Sequence, residues 1–262
     1  MLDEKIKVRL SPVQETLLLP LWARALESQA EKPIFHDPSA VAFMQRIDYD
    51  FDKIEREFGK VRPIWAIRAY TFDHVVRQFR IKHAGGTVVN LGAGLDTTFF
   101  RMDNGKLRWY DLDLPESINL RRQFIDENQR LTFISADVLD PSWLPQIECT
   151  QGEILFMAAG LLFYLELPQI QQLFNNIAQC FPKAEFIFDF IAPRFVKPGG
   201  KYRWGMEDAA ESLTMLHPNL RLIQQWRFYD QFPHKWNWMF KLARPFVMRW
   251  NGMVHARFEG IE

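Results

Sequence analysis

The segment Thr87-Val-Val-Asn-Leu91 runs directly into Gly92-Ala-Gly94, and this junction limits the architecture more than any other stretch of the chain. A short apolar, β-branched run without polar alternation reads as a strand covered on both faces, the pattern of a parallel sheet. Two glycines at its end let the backbone turn sharply and let a ligand approach the main chain. Strands and helices alternate from there on. Candidate strands lie at 107–112, 131–135, 154–158, 186–191, 221–226 and 254–258, and the main helical stretches at 115–128 and 167–179. Each crossover helix has to cover a sheet face, so the pattern predicts an α/β fold with a doubly wound, mostly parallel sheet and a ligand at the strands' carboxyl ends.

Upstream the signal differs. Leu17, Leu18, Leu21, Trp22, Ala25 and Leu26 recur at three- and four-residue spacing, and no glycine interrupts the region until Gly59. Residues 12–83 therefore read as helices only. This predicts an N-terminal helical cover over 1–82 and a ligand-binding domain over 83–262. Residues 193–204, with Lys-Pro-Gly-Gly inside them, form the clearest loop and a natural substrate-facing excursion.

Composition narrows the function. The 32 Lys and Arg balance 32 Asp and Glu, which gives no basic excess for a polyanion and argues against nucleic acid as a partner. Two cysteines without ligand spacing exclude a disulfide framework and a zinc site, and point to a reducing compartment. The N-terminus alternates charged and apolar residues, unlike a signal peptide. The longest uncharged apolar run, 154–165, is too short to span a bilayer. These features predict a cytoplasmic protein that neither crosses nor binds a membrane.

A dinucleotide loop wants a third small residue where Thr97 stands, and this disfavours a nicotinamide cofactor. The second strand ends in Asp111-Leu-Asp113, placing carboxylates 19 and 21 residues beyond Gly92. An acid at that spacing can accept hydrogen bonds from both hydroxyls of a ribose. The competing structural reading has one aspartate capping the next helix, a task for which Ser117 is better placed than Asp113.

Taken together, Arg68-Ala-Tyr-Thr-Phe-Asp73, Leu91-Gly-Ala-Gly-Leu-Asp-Thr97 with Arg101 following, Asp111-Leu-Asp-Leu-Pro115, Ala136-Asp137 and Gly160-Leu-Leu-Phe-Tyr-Leu165 span most of the chain. They resemble the leucine carboxyl methyltransferase family, in its polyketide-type O-methyltransferase branch. The resemblance implies a class I, Rossmann-like methyltransferase with S-adenosylmethionine as cofactor. By position, Arg68 would hold the methionine carboxylate, to which a guanidinium fork is suited. Gly92 and Gly94 would pass close to the cofactor and Asp113 would take the ribose hydroxyls, while Asp137 and Val138 would border the adenine. Arg24 is a further basic candidate. The chain departs from the family at Ala159-Gly160, where a Glu-Gly pair is usual. Two readings follow: an O-methyltransferase acting on a carboxylate or hydroxyl of a small molecule, or a non-catalytic cofactor-binding protein on the same fold.

Methyl transfer depends chiefly on holding the nucleophile in line with the methyl group, so few residues need act chemically. A carboxylate acceptor is already ionised, whereas a phenol gains from a base. Tyr164, in the motif after the fourth strand, can orient cofactor or acceptor. His234, in the aromatic stretch 232–240, is the histidine best placed for a base; His36, His74 and His217 read as structural. Arg194, Tyr202 and Trp204 are further candidates for the acceptor pocket. The stretch 234–250 mixes aromatics with lysines and arginines, and Pro245 is expected to break its helix. It reads as a cover over the substrate cleft or a contact in a homodimer.

Overall fold

Leu18, Leu21, Trp22 and Ala25 form the buried stripe of helix α1 (Leu18–Ser28). Helix α2 (Pro38–Arg46) starts with proline in its first turn and with Asp37 as its cap, the carboxylate accepting from the Ala40 amide at 2.9 Å. Helix α3 (Phe51–Phe58) is capped in the same way by Asp50, and α4 (Pro63–Lys82) completes the set. The region is not helical throughout. Strand β1 (Ile6–Lys7) pairs in parallel with β2 (Ile47–Asp48), so the turn after α2 is extended because it has a strand partner. This computed structural model describes residues 5–7, 14–149, 153–247 and 249–259. The first four residues and Pro12, at the start of the helical periodicity, lie outside them.

The α/β part follows in chain order: β3 (Thr87–Leu91), α5 (Thr98–Met102), β4 (Arg108–Asp113), α6 (Pro115–Arg121), β5 (Leu131–Ser135), β6 (Ile154–Ala158), α7 (Leu167–Cys180), β7 (Glu185–Ile191), α8 (Ala209–Leu216), β8 (Leu220–Arg227), α9 (Trp238–Val247) and β9 (Asn251–Phe258). The sheet has seven strands in the order β5-β4-β3-β6-β7-β9-β8. Neighbours from β5 to β7 are parallel, and β9 is antiparallel to both β7 and β8. This is the doubly wound, mostly parallel sheet that the sequence predicts. Among the described residues no helix is long and apolar enough to cross a membrane.

Period-two alternation sends successive strand residues to opposite faces. Val88, Leu155 and Ile187 join a core shared with Trp22 of α1 and Phe72 of α4. Val89, Phe156 and Phe186 join a second core with Leu173 and Phe174 of α7. Chain order reverses between β3 and β6, and Leu91 lies opposite Ala158 there, so the loops beginning at Gly92 and Ala159 leave the sheet side by side. A crevice between them is the expected ligand site of such a sheet.

Three local expectations need correcting. The helix expected over 115–128 ends at Arg121, whose side chain turns inward, and the chain continues in turns that bury Ile125. Helix α9 continues through Pro245, since a proline removes one helical hydrogen bond without having to end the helix. Strand β9 starts at Asn251, ahead of the expected 254, although Asn-Gly is a turn signal. Position 252 needs glycine for close packing: a Cβ there would lie 2.4 Å from the Trp226 carbonyl oxygen and 2.7 Å from the Phe190 ring. Gly252→Ala is accordingly expected to destabilise the protein by about 1–3 kcal/mol in urea unfolding. An unchanged midpoint would contradict this packing.

Candidate functional site

The Gly92-Ala-Gly94 loop is fixed from two sides. Gly92 and Gly94 adopt φ of +68° and +47°, in the left-handed region that L side chains avoid. The amides of Gly92 and Ala93 donate to the Leu112 carbonyl at 2.8 and 3.1 Å, hooking the loop onto the end of β4. From below, buried Arg121 donates to the carbonyls of Gly94 at 3.0 Å and Asp96 at 2.8 Å, and its other arm pairs with Asp111.

The two aspartates of β4 divide their work. Asp111 is wholly buried and also accepts from Asn90 and from the Trp109 indole, so it is part of the scaffold. Asp113 stands at the rim, accepting the Gly94 and Leu114 amides at 2.7 Å each. Burial pushes the Asp113 carboxyl above its ordinary range, although those two amides pull it down.

A buried charge network ties the helices to this loop. Asp37 accepts from Arg24 Nε at 3.1 Å, Thr97 Oγ1 at 2.6 Å and Arg101 Nη1 at 2.5 Å. Arg101 forks onto Asp73 of α4 at 2.7 and 2.9 Å, and Arg24 donates to the Leu95 carbonyl at 2.8 Å. Thr97, standing where a dinucleotide loop has a small residue, is thus a hydrogen-bonding anchor. Asp96 is held below the ordinary carboxylate range: burial alone would raise it, but Arg24 and Arg101 outweigh that effect.

Arg68 closes the far end of the crevice. Its Nη1 pairs with Asp189 Oδ2 at 2.9 Å, while Asp189 Oδ1 accepts the Gly160 amide at 2.7 Å. Gly160 has φ +76°, and a Cβ on it would stand 2.8 Å from Arg68 Nη1. Nε and Nη2 of Arg68 have no hydrogen bond among the described residues. Arg68, Asn90, Gly92, Gly94, Ala159 and Tyr164 line this crevice. The donor set fits an elongated ligand with a carboxylate toward Arg68 and a diol toward Asp113, passing over a glycine-edged cradle.

A second cavity of about 320 Å³ adjoins the first, sharing Trp65, Arg68, Phe163 and Tyr202 with it. Phe190, Phe195, Phe228, Tyr229 and Trp250 make its walls aromatic. Burial pushes the Tyr164 hydroxyl up, while Thr16 hydrogen-bonds to it. Tyr202 packs edge-on against Phe163.

The structure brings Arg68, Gly92, Gly94 and Tyr164 to one crevice, with Asp113 bonded to its rim. Asp137 is exposed, accepting the Leu139 amide, and Val138 is buried in the core beside it; neither lines the crevice. His234 is exposed on a short turn against Phe232 and lines neither cavity. Of the acceptor-side candidates, Tyr202 lines both cavities, Trp204 is buried against Phe188, and Arg194 stacks on Trp250. Sequence reasoning missed Asp189 and Asn90. Each is a lone polar residue inside an apolar strand, and that was the available signal, because such groups are buried only with partners.

Known proteins resemble this chain in sequence and in fold. The family model for leucine carboxyl methyltransferase matches residues 18–178. The tetracenomycin polyketide synthesis O-methyltransferase TcmP of Streptomyces glaucescens is 32% identical over 85% of this chain and 86% of its own length. The S-adenosyl-L-methionine-dependent methyltransferase dpfgK of Gibberella zeae is 30% identical, over 80% and 81%. Magnesium protoporphyrin IX methyltransferase from Synechocystis, solved with S-adenosylmethionine bound, superimposes with a TM-score of 0.51 at 12% identity, over 87% of this chain and 100% of that one. The last likeness is one of fold.

Removing Arg101 leaves Asp37 and Asp73 buried without their shared partner. Arg101→Ala is expected to lower stability by about 3–5 kcal/mol, measured by denaturant unfolding. A loss below about 1 kcal/mol, the size typical of exposed pairs, would show that the network does not hold the loop.

Proposed function

The chain belongs to the leucine carboxyl methyltransferase family and is an S-adenosylmethionine-dependent methyltransferase; from that premise we propose that it methylates oxygen, on a carboxylate or hydroxyl of a small ring-containing molecule. The observation that carries this reading is the aromatic cavity joined to the Arg68 end of the crevice. Aromatic walls bind flat apolar bodies, and a few polar groups at one end set their orientation. The name of TcmP, an O-methyltransferase of polyketide synthesis, supports oxygen as the accepting atom.

When bound, S-adenosylmethionine supplies a methyl group on a sulfonium, which a nucleophile displaces in line. In this scheme Arg68 holds the methionine carboxylate through the nitrogens that Asp189 leaves free. Asp113 accepts from the ribose hydroxyls while keeping the Gly94 amide, and Gly92 and Gly94 let the main chain lie against the ligand. By the family resemblance Asp137 and Val138 would border the adenine, beyond the part of the crevice that its lining residues define. Tyr164 orients the groups at the junction. In this reading the helices within 1–82 form the cover and supply Arg68, and 83–262 supply the other contacts to the cofactor. His234, outside both cavities, takes no part.

The test is calorimetric titration with S-adenosylhomocysteine, followed by transfer of labelled methyl to a panel of aromatic acids and phenols. Arg68→Ala and Asp113→Ala should each weaken binding by about tenfold to a hundredfold, the range of a lost charge-assisted hydrogen bond. Binding without transfer to any acceptor would favour the binding-only reading that Ala159 suggests, and no binding would overturn both.

The raised carboxyl of Asp113 adds a pH signature. Its ionised form accepts from the ribose, so affinity should be full at neutral pH. It should fall as pH drops through a value above the ordinary aspartate range. Asp113→Asn should remove that dependence, and a persistent acid limb in this variant would assign it elsewhere.

A further inference from the structure

Charge is sparse in the aromatic cavity. Among the described residues that line it, only Arg68 and Asp189 carry charge, and they are paired at 2.9 Å. The remaining polar groups are neutral: Asn251, the hydroxyls of Tyr202 and Tyr229, and the indole N–H groups of Trp65 and Trp250, of which the Trp250 donor is buried without a hydrogen-bond partner among the described residues. Burial pushes Tyr229 up to about 12, with Asn251 hydrogen-bonded to it, so this phenol stays protonated. A carboxylate entering this space would lose its hydration and find no counter-charge that Asp189 does not already share.

Asp189 has capacity to spare. Each of its oxygens accepts one protein donor, Gly160 N–H on Oδ1 and Arg68 Nη1 on Oδ2. A carboxylate accommodates about four. It is buried, it lines the aromatic cavity, and its partner Arg68 lines both cavities, which puts it where the two meet. Burial pushes the Tyr202 hydroxyl up and the charge of Asp189 adds to that, with Arg68 opposing it. A neutral phenol entering this space would find an acceptor in the lone pairs that Gly160 and Arg68 leave open on Asp189.

We infer that the acceptor of this site is an uncharged aromatic alcohol of the phenol class, and that Asp189 is the catalytic residue that takes its hydroxyl proton. The inference rests on the methyltransferase reading of the crevice. In the step, the acceptor oxygen forms a bond to the methyl carbon as the sulfur–methyl bond breaks, and the electron pair of that bond returns to sulfur. The hydroxyl proton passes to the Asp189 carboxylate. The products are an aryl methyl ether, S-adenosylhomocysteine and a neutral Asp189 carboxyl, which gives its proton to solvent once the ether leaves. Arg68, held at one nitrogen by Asp189, acts as a positioning residue for the base.

The full chain tests this with two probes of one shape and different charge, 2-naphthol and 2-naphthoate, titrated at neutral pH by quenching of tryptophan fluorescence; Trp65 and Trp250 line the cavity. The wild type should bind naphthol at least about tenfold more tightly than naphthoate, because a buried unpaired charge is disfavoured by at least that much. In Asp189→Asn the guanidinium of Arg68 loses its partner, so the preference should reverse toward naphthoate. That variant should also lose about a hundredfold or more in single-turnover methylation of naphthol. Naphthoate binding as well as naphthol in the wild type, binding of neither, or an unmoved preference in a folded Asp189→Asn would each overturn the inference. The wild-type comparison stands even where the variant fails to fold. S-adenosylhomocysteine is titrated alongside: its binding with the wrong probe preference sinks this inference alone, whereas its absence sinks the methyltransferase reading beneath it.

Discussion

A single carboxylate, Asp37, receives Arg24, Thr97 and Arg101 in a space closed to water, and the placement of the site depends on it. It joins three parts of the chain that have no reason of their own to stay in register: α1 through Arg24, the start of α2 through its own cap, and the loop and helix after β3 through Thr97 and Arg101. Arg101 extends the tie to α4 through Asp73. Buried ion pairs add little net stability over an apolar core of the same volume. What this one supplies is geometry, since an apolar contact can slide and a forked guanidinium cannot.

That geometry sets up a division between two cavities. The crevice over the glycine loop has Arg68 at one end and, at the other, the Gly94 amide that Asp113 holds, with polar side chains such as Asn90 and Asp96 along it. The adjoining cavity is aromatic, with its charges confined to one wall. Arg68 belongs to both, and Asp189 fixes the direction in which it points. A guanidinium with one nitrogen committed to the protein and others open can hold a ligand carboxylate without swinging between states. Gly160 is small because any Cβ would meet that guanidinium. The same position lies within the motif that carries the family resemblance, so the sequence pattern and the packing constraint coincide there.

Much of this was legible before the fold was known. Apolar β-branched runs located the strands, because parallel strands are buried on both faces, and the glycine junction located the crevice. The first half of β9 escaped the expected strand at 254–258 because it holds Gly252: a glycine demanded by close strand packing looks the same in sequence as one that ends a strand. Of the paired aspartates, spacing alone could not say which belongs to the scaffold. The answer depends on Arg121, ten residues on, which claims Asp111 from beneath and leaves Asp113 at the rim. Asp189 escaped notice because its partners, Arg68 and the Gly160 amide, come from distant parts of the chain. His234 drew attention as a histidine within the aromatic stretch 232–240, but that stretch turns at the surface and leaves the ring exposed, outside both cavities.

The central claim is that one ligand spans from Arg68 to Asp113 across the glycine loop. A crystal structure of the protein with S-adenosylhomocysteine tests it most directly. The expected result places the methionine carboxylate on Arg68 and the ribose hydroxyls on Asp113, with Arg68 still paired to Asp189. A ligand lying in the aromatic cavity, or one that touches neither Arg68 nor Asp113, would contradict the account.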